Sequence, residues 1–481
     1  MARAAARCCL VLVVGTLAVC GTALGETVLV EPGSAMTYLA NDSDPGSAIE
    51  AGFFTPGFVE GPEWTGGSYG AGHEGNPPGA LGLLETVLPG TYSSLYTRTT
   101  FQITDPEAIF SVFLGLDYDD GVVAWINGQE VYRSPEMRYK ALTWNAYPAS
   151  HESSNGTQPD YEPLRNITDA ALAALTPGEN LLALAVYNAG PWSDDLVLVP
   201  RLSVNRMLTR APYLQQGTSS GVLVRWRTGQ AAGSRVLYGE APDDLAAEAI
   251  VAGPTTEHEV LLSGLQPNTR YYYAVGTPGE VLAGGDDEHF FETAPATGTP
   301  KPLRVWALGD SGWGTQNAVA VREAYYDFTN GAASGGAGAR HTDLWLMLGD
   351  NAYPSGTDLQ FQENLFDIYP GMLRKSALWP TRGNHDLLDP ADQSWPYFDS
   401  FSLPQQGEAG GLASGSEDYY SFDYANVHFV VLGSMDMLPP QVDAMLAWLE
   451  ADLAATDQEW IVASFHHPPY SKGGHDSDDP A

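Results

Sequence analysis

Three stretches decide the reading: LRVWALGDSG (303–312), DLWLMLGDNAY (343–353) and ALWPTRGNHD (377–386). Each is a short apolar run that stops at a glycine. Directly behind that glycine stands a residue able to hold a cation: Asp310, Asp350, or the pair Asn384 and His385. Short apolar runs bounded in this way read as buried parallel strands with side chains presented from the loops at their carboxyl ends. Ligand sites in open α/β sheets collect at that edge, so residues distant in sequence are expected to meet there. A fourth run, EWIVASFHHPPY (459–470), adds His466, and GDNAY adds Tyr353. Carboxylate, amide oxygen, imidazole and phenolate form a set without thiolate, suited to hard or borderline divalent and trivalent ions rather than to a structural zinc knot. Two such ions roughly 3.5–4 Å apart would clamp the attacking and leaving oxygens of a phosphoryl transfer.

In this order, GDSG, GDNAY, GNHD and VASFHHPPY resemble the motifs of the purple acid phosphatases, within the calcineurin-like metallophosphoesterase superfamily. The resemblance implies a metal-dependent phosphoric ester hydrolase with a dinuclear centre. Asp310 and Tyr353 would hold a ferric ion, Asp350 would bridge, and Asn384 and His466 would hold a divalent ion, zinc, manganese or iron. A hydroxide held by the two ions would attack a phosphomonoester, with His385 stabilising the transferring oxygens and His475 assisting the leaving group. His466 is preferred to His467 because the family places its ligand immediately before a His/Ser-Pro-x-Tyr turn. A loop tyrosine often packs and a histidine in a polar tail is often merely exposed, so Tyr353 and His475 rest on the resemblance more than on residue type. The family's last motif, Gly-His-x-His, does not occur in the 481 residues. On that reading the sequence is an incomplete piece, cut inside the catalytic domain and inactive as it stands. Phosphodiester or nucleotide hydrolysis at the same site is the alternative chemistry. A secreted binding or adhesion protein with a non-functional metal module is the alternative class.

Residues 303–481 are then an α/β metallophosphoesterase domain, a two-sheet β-α-β sandwich, behind a linker at 297–302 rich in Pro and Thr. Within it Gln316 to Asn330 has helical spacing. Val442, Met445, Leu446, Leu449 and Leu453 form one stripe of a second helix, with Asp443, Glu450 and Asp452 off the stripe. In residues 206–296, Val222, Val224 and Trp226 alternate as in a half-buried strand. Leu265-x-Pro267-x-Thr269-x-Tyr271 resembles the tyrosine corner of fibronectin type III sandwiches, the kind of domain that precedes the catalytic one in the larger purple acid phosphatases. Residues 26–205 read as all-β, with Asn127-Gly128 as a hairpin turn, and resemble a galactose-binding-like jelly roll. The fold class is therefore two all-β sandwich domains followed by the α/β domain. In the first, Asp117, Asp119 and Asp120 are candidate calcium ligands, set against the alternative of surface turn residues. Trp64, Trp125, Trp144 and Trp192 are read as exposed candidates for stacking on carbohydrate, although a strand tryptophan such as Trp125 is more often core.

Arg3 and Arg7 precede an apolar run from Cys8 to Val19, and Ala23-Leu24-Gly25 offers small residues for cleavage. Residues 1–25 read as a signal peptide, too short for a transmembrane segment, and imply a secreted protein, extracellular or periplasmic. A lipoprotein anchored at Cys20 is less favoured because Val19 is bulky for that position. Cys8, Cys9 and Cys20 all lie here, so the mature chain has no disulfide. The full chain carries 22 basic and 59 acidic residues, a net charge of −37, which excludes nucleic acid as a partner. The same field repels a small phosphate ester at long range, so a locally cationic site such as a metal centre must draw it in.

Overall fold

The structure, a computed structural model, describes residues 26–329, 341–386, 395–435 and 439–472. The expected leader at 1–25 and His475 lie outside them. The described chain is β-rich and spread over five sheets, three of six strands and two of three.

Between Thr27 and Val204 two six-stranded sheets face each other. Their central strands are β1 (Ser94–Ile103), β2 (Val112–Asp119), β3 (Gly121–Ile126), β4 (Gln129–Arg133), β5 (Gly178–Tyr187) and β6 (Asp195–Val204). β2 pairs antiparallel with β6 in one sheet, and β1, β5, β3 and β4 are successive neighbours in the other. Leu114, Leu196 and Leu198 of the first meet Val122, Leu182 and Leu184 of the second in one core. The second sheet is covered on its outer face too, where Val123, Trp125 and Ala183 pack against Phe53, Trp64 and Met137. A strand covered on both faces needs no polar alternation, which is why all six residues of β3, GVVAWI, are buried. Among the tryptophans, Trp125 is core, as a strand tryptophan more often is, and Trp192 is 74% exposed, but the exposed reading of Trp64 and Trp144 is corrected: Trp64 is core and Trp144 packs against it. The β3–β4 connection has Asn127 and Gly128 at φ 50° and 92°. That double positive φ is the mirror-image turn whose twist matches a hairpin.

A third six-stranded sheet follows, built on β7 (Gly221–Gly239), β8 (Ala247–Ser263) and β9 (Arg270–Thr277). Val222, Val224 and Trp226 point into its core with Val260, Leu262 and Tyr273. Tyr271 Oη accepts the Gln266 N–H at 3.0 Å, closing the corner. The opposite side of β7 and the preceding strand carry arginines that grip the last part of the chain. The buried Arg210 donates to Gln362 Oε1 (2.8 Å) and Asp358 Oδ1 (2.9 Å), with its guanidinium 4.0 Å from the Phe366 ring centroid. Arg227 donates to both oxygens of the same Asp358, at 2.5 and 2.7 Å.

The last part contains β10 (Val305–Leu308), α1 (Gln316–Thr329), β11 (Leu344–Met347), β12 (Leu378–Pro380), β13 (Tyr420–Tyr424), β14 (Val427–Val431), α2 (Pro439–Ala455) and β15 (Trp460–Ser464). β10, β11 and β12 are parallel neighbours in chain order. β15 belongs to the other sheet, parallel to β14, so His466 reaches the site from a different layer. Trp345, Trp379, Phe422 and Phe429 join the two sheets in one core, with Trp379 and Phe422 stacked at 3.7 Å. α2 follows the sequence reading at Val442, Met445 and Leu449, which are buried or half-buried, and departs from it elsewhere. Its buried residues include Met445, Trp448 and Asp452, whereas Leu446 and Leu453 are exposed. A polar network overrides the apolar stripe: Asp452 accepts from Leu412 N–H and Ser421 Oγ and pairs with His428 Nε2 at 2.8 Å, while His428 Nδ1 holds Asp423 at 2.7 Å.

Candidate metal centre

The loops leaving β10, β11 and β12 lie together because their strands do, and the main chain stitches two of them. Asp310 N–H donates to Gly349 O at 3.2 Å, Gly312 N–H to Asp350 O at 3.2 Å, and Tyr353 N–H to Gly312 O at 2.8 Å. Asp310 and Asp350 share a φ of 55°. This left-handed conformation costs most residues about 1–2 kcal/mol and is tolerated best by Asp and Asn among side-chain-bearing residues; such strain gathers at functional sites. Glycine is required at 383, where a Cβ would collide with the backbone nitrogen of Asp350.

The buried Asp350 is the hub. Its Oδ1 accepts the His385 N–H at 2.8 Å, and its Oδ2 accepts the Tyr353 hydroxyl at 2.5 Å. That hydroxyl also stands 3.1 Å from Asp310 Oδ1, so one phenolic proton faces two carboxylates. His466 Nδ1 meets Leu348 O at 2.9 Å; a carbonyl only accepts, which makes Nδ1 the donor and leaves Nε2 with the lone pair in the neutral ring. Nε2 lies 3.0 Å from Asn384 Oδ1 and 3.4 Å from Asp350 Oδ1. One ligand atom from each of Asp310, Asp350 and His466 falls within 4.8 Å of the others. Lone pairs that converge without a proton between them repel, and a cation at their centre removes the repulsion. The donor set is all oxygen and nitrogen, as the residue types suggest for a hard or borderline ion.

Electrostatics point the same way. Burial first, then the hydrogen bonds and charges of Asp350 and Asp310, hold the Tyr353 phenol far above its ordinary pKa. Only a strong local positive charge reverses that logic and frees the phenolate. Trp313 stacks on Tyr353 at 4.3 Å, and the His385 ring lies 4.4 Å away on tilted planes. His385 Nδ1 donates to Pro354 O at 2.7 Å. His467 turns aside, with Nδ1 3.0 Å from Ser434 Oγ.

The structure thus brings Asp310, Asp350, Tyr353, Asn384, His385 and His466 together. It also exposes partners that motif reading missed. Asp386 is fully buried and accepts from Asn351 N–H (2.9 Å), Asn351 Nδ2 (2.7 Å), Ala352 N–H (3.2 Å) and Gly383 N–H (2.8 Å). It clasps the GDNAY loop to the GNHD loop; its place at the end of GNHD was the available signal. Burial pushes its carboxyl up to about 7, against the pull of the Gly383 and Asn351 donors. Arg138, on the connection between β4 and β5, donates to Trp313 O and to Asn364 Oδ1 (3.0 Å), while Asn364 Nδ2 donates to Tyr353 O (2.9 Å). Nothing in the sequence ties Arg138 to the site, because the contact spans 226 residues.

Comparison with known proteins agrees in kind. Residues 211–293 match the family model described as the purple acid phosphatase N-terminal domain, and residues 303–481 match that of the calcineurin-like phosphoesterases. Among curated relatives, purple acid phosphatase 21 of Arabidopsis thaliana is 29% identical over 221 residues, 44% of this chain and 44% of that protein. Purple acid phosphatase 15 of the same plant is 29% identical over 242 residues, 44% and 42% of the two chains. Phosphoenolpyruvate phosphatase of Allium cepa is 25% identical over 294 residues, 56% of each. The chain therefore spans about half the length of the curated relatives it matches.

Proposed function

We propose that this chain, which belongs to the purple acid phosphatases, builds the metal cup of a hydrolase acting on a phosphomonoester. The observation that carries the reading is the meeting of carboxylate, phenol, amide and imidazole donors from four separate loops at one point. In keeping with the family, Asp310 and Tyr353 would hold a ferric ion, Asp350 would lie between the two metals, and Asn384 and His466 would hold zinc, manganese or iron. When bound, two such ions supply positive charge to the transferring phosphoryl oxygens and acidify a water into a nucleophile.

The chain's own contribution is placement. The His385 N–H and the Tyr353 hydroxyl hold one oxygen each of Asp350, so its carboxylate is oriented before any ligand arrives. With Nδ1 tied to Pro354 O, the His385 ring is held in one orientation, and its Nε2 would be the atom free to meet an oxygen of the transferring group. Trp313 and His385 flank the Tyr353 ring and keep water from it. His475 would serve the leaving group on family grounds alone. The family also favours a fibronectin-type unit over 206–296, and a jelly-roll unit over 26–205 fits the two facing sheets; secretion through a leader at 1–25 completes the proposal. The test is spectroscopic and kinetic. The full-length protein expressed with iron should show a visible tyrosinate-to-iron absorption band that Tyr353→Phe abolishes, and should cleave a chromogenic phosphomonoester at mildly acidic pH. Iron bound without that band, or hydrolysis undiminished in Asp350→Asn, would overturn the reading.

A further inference from the structure

A second cluster of carboxylates lies in the first pair of sheets, on residues the catalytic reading leaves unused. Asp119 ends β2, Asp195 opens β6, and Glu152 sits on the long connection between β4 and β5. In the antiparallel register Asp119 is opposite Val197. Alternate residues of a strand share a face, so Asp195 and Asp119 emerge side by side. One oxygen from each of Asp119, Glu152 and Asp195 lies within 4.8 Å of the other two.

The neighbours show which carboxylates are spoken for. Asp117 is fully engaged, accepting from Ser154 N–H (2.8 Å), Ser154 Oγ (2.5 Å) and Asp160 N–H (2.9 Å). Asp120 gives one oxygen to His151 N–H (2.9 Å) and the other to Ala189 N–H. Asp119 is different. It is 1% exposed, and its Oδ1 has no hydrogen-bond partner among the described residues. A buried carboxylate oxygen without a donor is costly, and here it faces two further carboxylates. Of the three aspartates that sequence offered for calcium, the structure retains Asp119 alone and replaces Asp117 and Asp120 by Glu152 and Asp195. Asp117 and Asp120 instead pin the 150–160 loop from which Glu152 projects.

We propose that Asp119, Glu152 and Asp195 form a calcium site. The donors are all hard oxygens, and two oxygens on opposite sides of one calcium ion stand roughly 4.6–5.2 Å apart, so the three reach a single ion as they are placed. The exposed side of Glu152 leaves room for water to complete the shell. The ion would lock the 150s loop, whose Ser150 carbonyl accepts from Gln316 on α1 at 3.4 Å.

The test is calorimetric titration of calcium chloride, up to about 10 mM to cover the weak range of extracellular modules, into the chelator-stripped full chain. Wild type and an Asp310→Asn/Asp350→Asn variant, which lacks the catalytic cup, should each bind one calcium. Glu152→Gln, a surface change that leaves the fold intact, and Asp195→Asn should bind at least tenfold more weakly. No binding to wild type, equal affinity in Glu152→Gln, or loss of binding in the cup variant would each overturn the proposal.

Discussion

Replacing Asp386 by asparagine tests how far the metal cup depends on a residue that touches no metal donor directly. At about pH 8, above the raised pKa of its carboxyl, the wild-type residue is ionised and receives four N–H groups, two on each oxygen. The amide that Asp386→Asn introduces would keep one acceptor oxygen and turn an NH2 toward the remaining two donors, losing two charge-assisted bonds. Bonds to charged groups contribute about 1.5–3 kcal/mol each, so the direct loss is about 3–6 kcal/mol. A flip of the Asn351 amide would recover part of it, since Asn351 Oδ1 has no partner among the described residues, at the cost of the Nδ2 bond to Thr381 O (2.9 Å). A net loosening of about 2–3 kcal/mol remains, and because the loops involved carry Asp350 and Asn384, it should appear as a 10–100-fold weaker affinity for metal. Calorimetric titration of a divalent metal measures this, and amide hydrogen exchange at Asn351 and Ala352 should accelerate in parallel. Affinity within threefold of wild type, with protection at both amides unchanged, would refute the idea that Asp386 clasps the loops.

Other expectations follow from the same contacts. Burial alone would lower the pKa of His428, but Asp423 and Asp452 outweigh it and raise it to about 9; from an ordinary 6.5 that is about 3 kcal/mol. The sign is that of a raised pKa: the stabilisation is complete below about pH 6.5 and fades as pH climbs through 9. The opening free energy of β14, taken from hydrogen exchange relative to the intrinsic base-catalysed rate, should therefore fall between pH 6 and 9.5 in wild type and stay flat in His428→Gln; an equal fall in the variant would refute the pairing. Asp358 behaves oppositely: burial opposes ionisation, yet Arg227 and Arg210 hold its carboxyl well below the usual range. Its contribution is present above the ordinary carboxylate pKa and lost as pH falls through the depressed one, so acid unfolding of wild type should be steeper than that of Asp358→Asn below about pH 4. Arg138→Ala should weaken metal binding a few-fold, through Trp313 and Asn364, while the sheets of its own module keep their melting temperature; unchanged metal affinity would make the contact mere packing.

The sequence was most informative where chemistry and backbone coincide. Three apolar runs ending in Gly-Asp or Gly-Asn are parallel neighbours, and Asp310, Asp350 and Asn384 meet because the strands that carry them are adjacent. What escaped was set by partners remote in the chain. Periodicity gave α2 a stripe through Leu446 and Leu453, but it cannot weigh a buried Asp452 that pairs with His428 from another strand. Trp64 reads as a surface aromatic because no local pattern tells that a sheet is covered twice. Glu152 and Asp195 resemble any other acidic loop residues in a chain with 59 acids, until the register of β2 against β6 sets Asp195 beside Asp119.

One arrangement reaches beyond chemistry. His466 hangs from the sheet of β13, β14 and β15, whereas Asp310, Asp350 and Asn384 hang from that of β10, β11 and β12. An ion held there would be gripped from both sides like a rivet through two plates, so shear between the layers would move its donors apart. Changes at the aromatic seam of Trp379 and Phe422 would then alter the affinity for metal before any strand has melted.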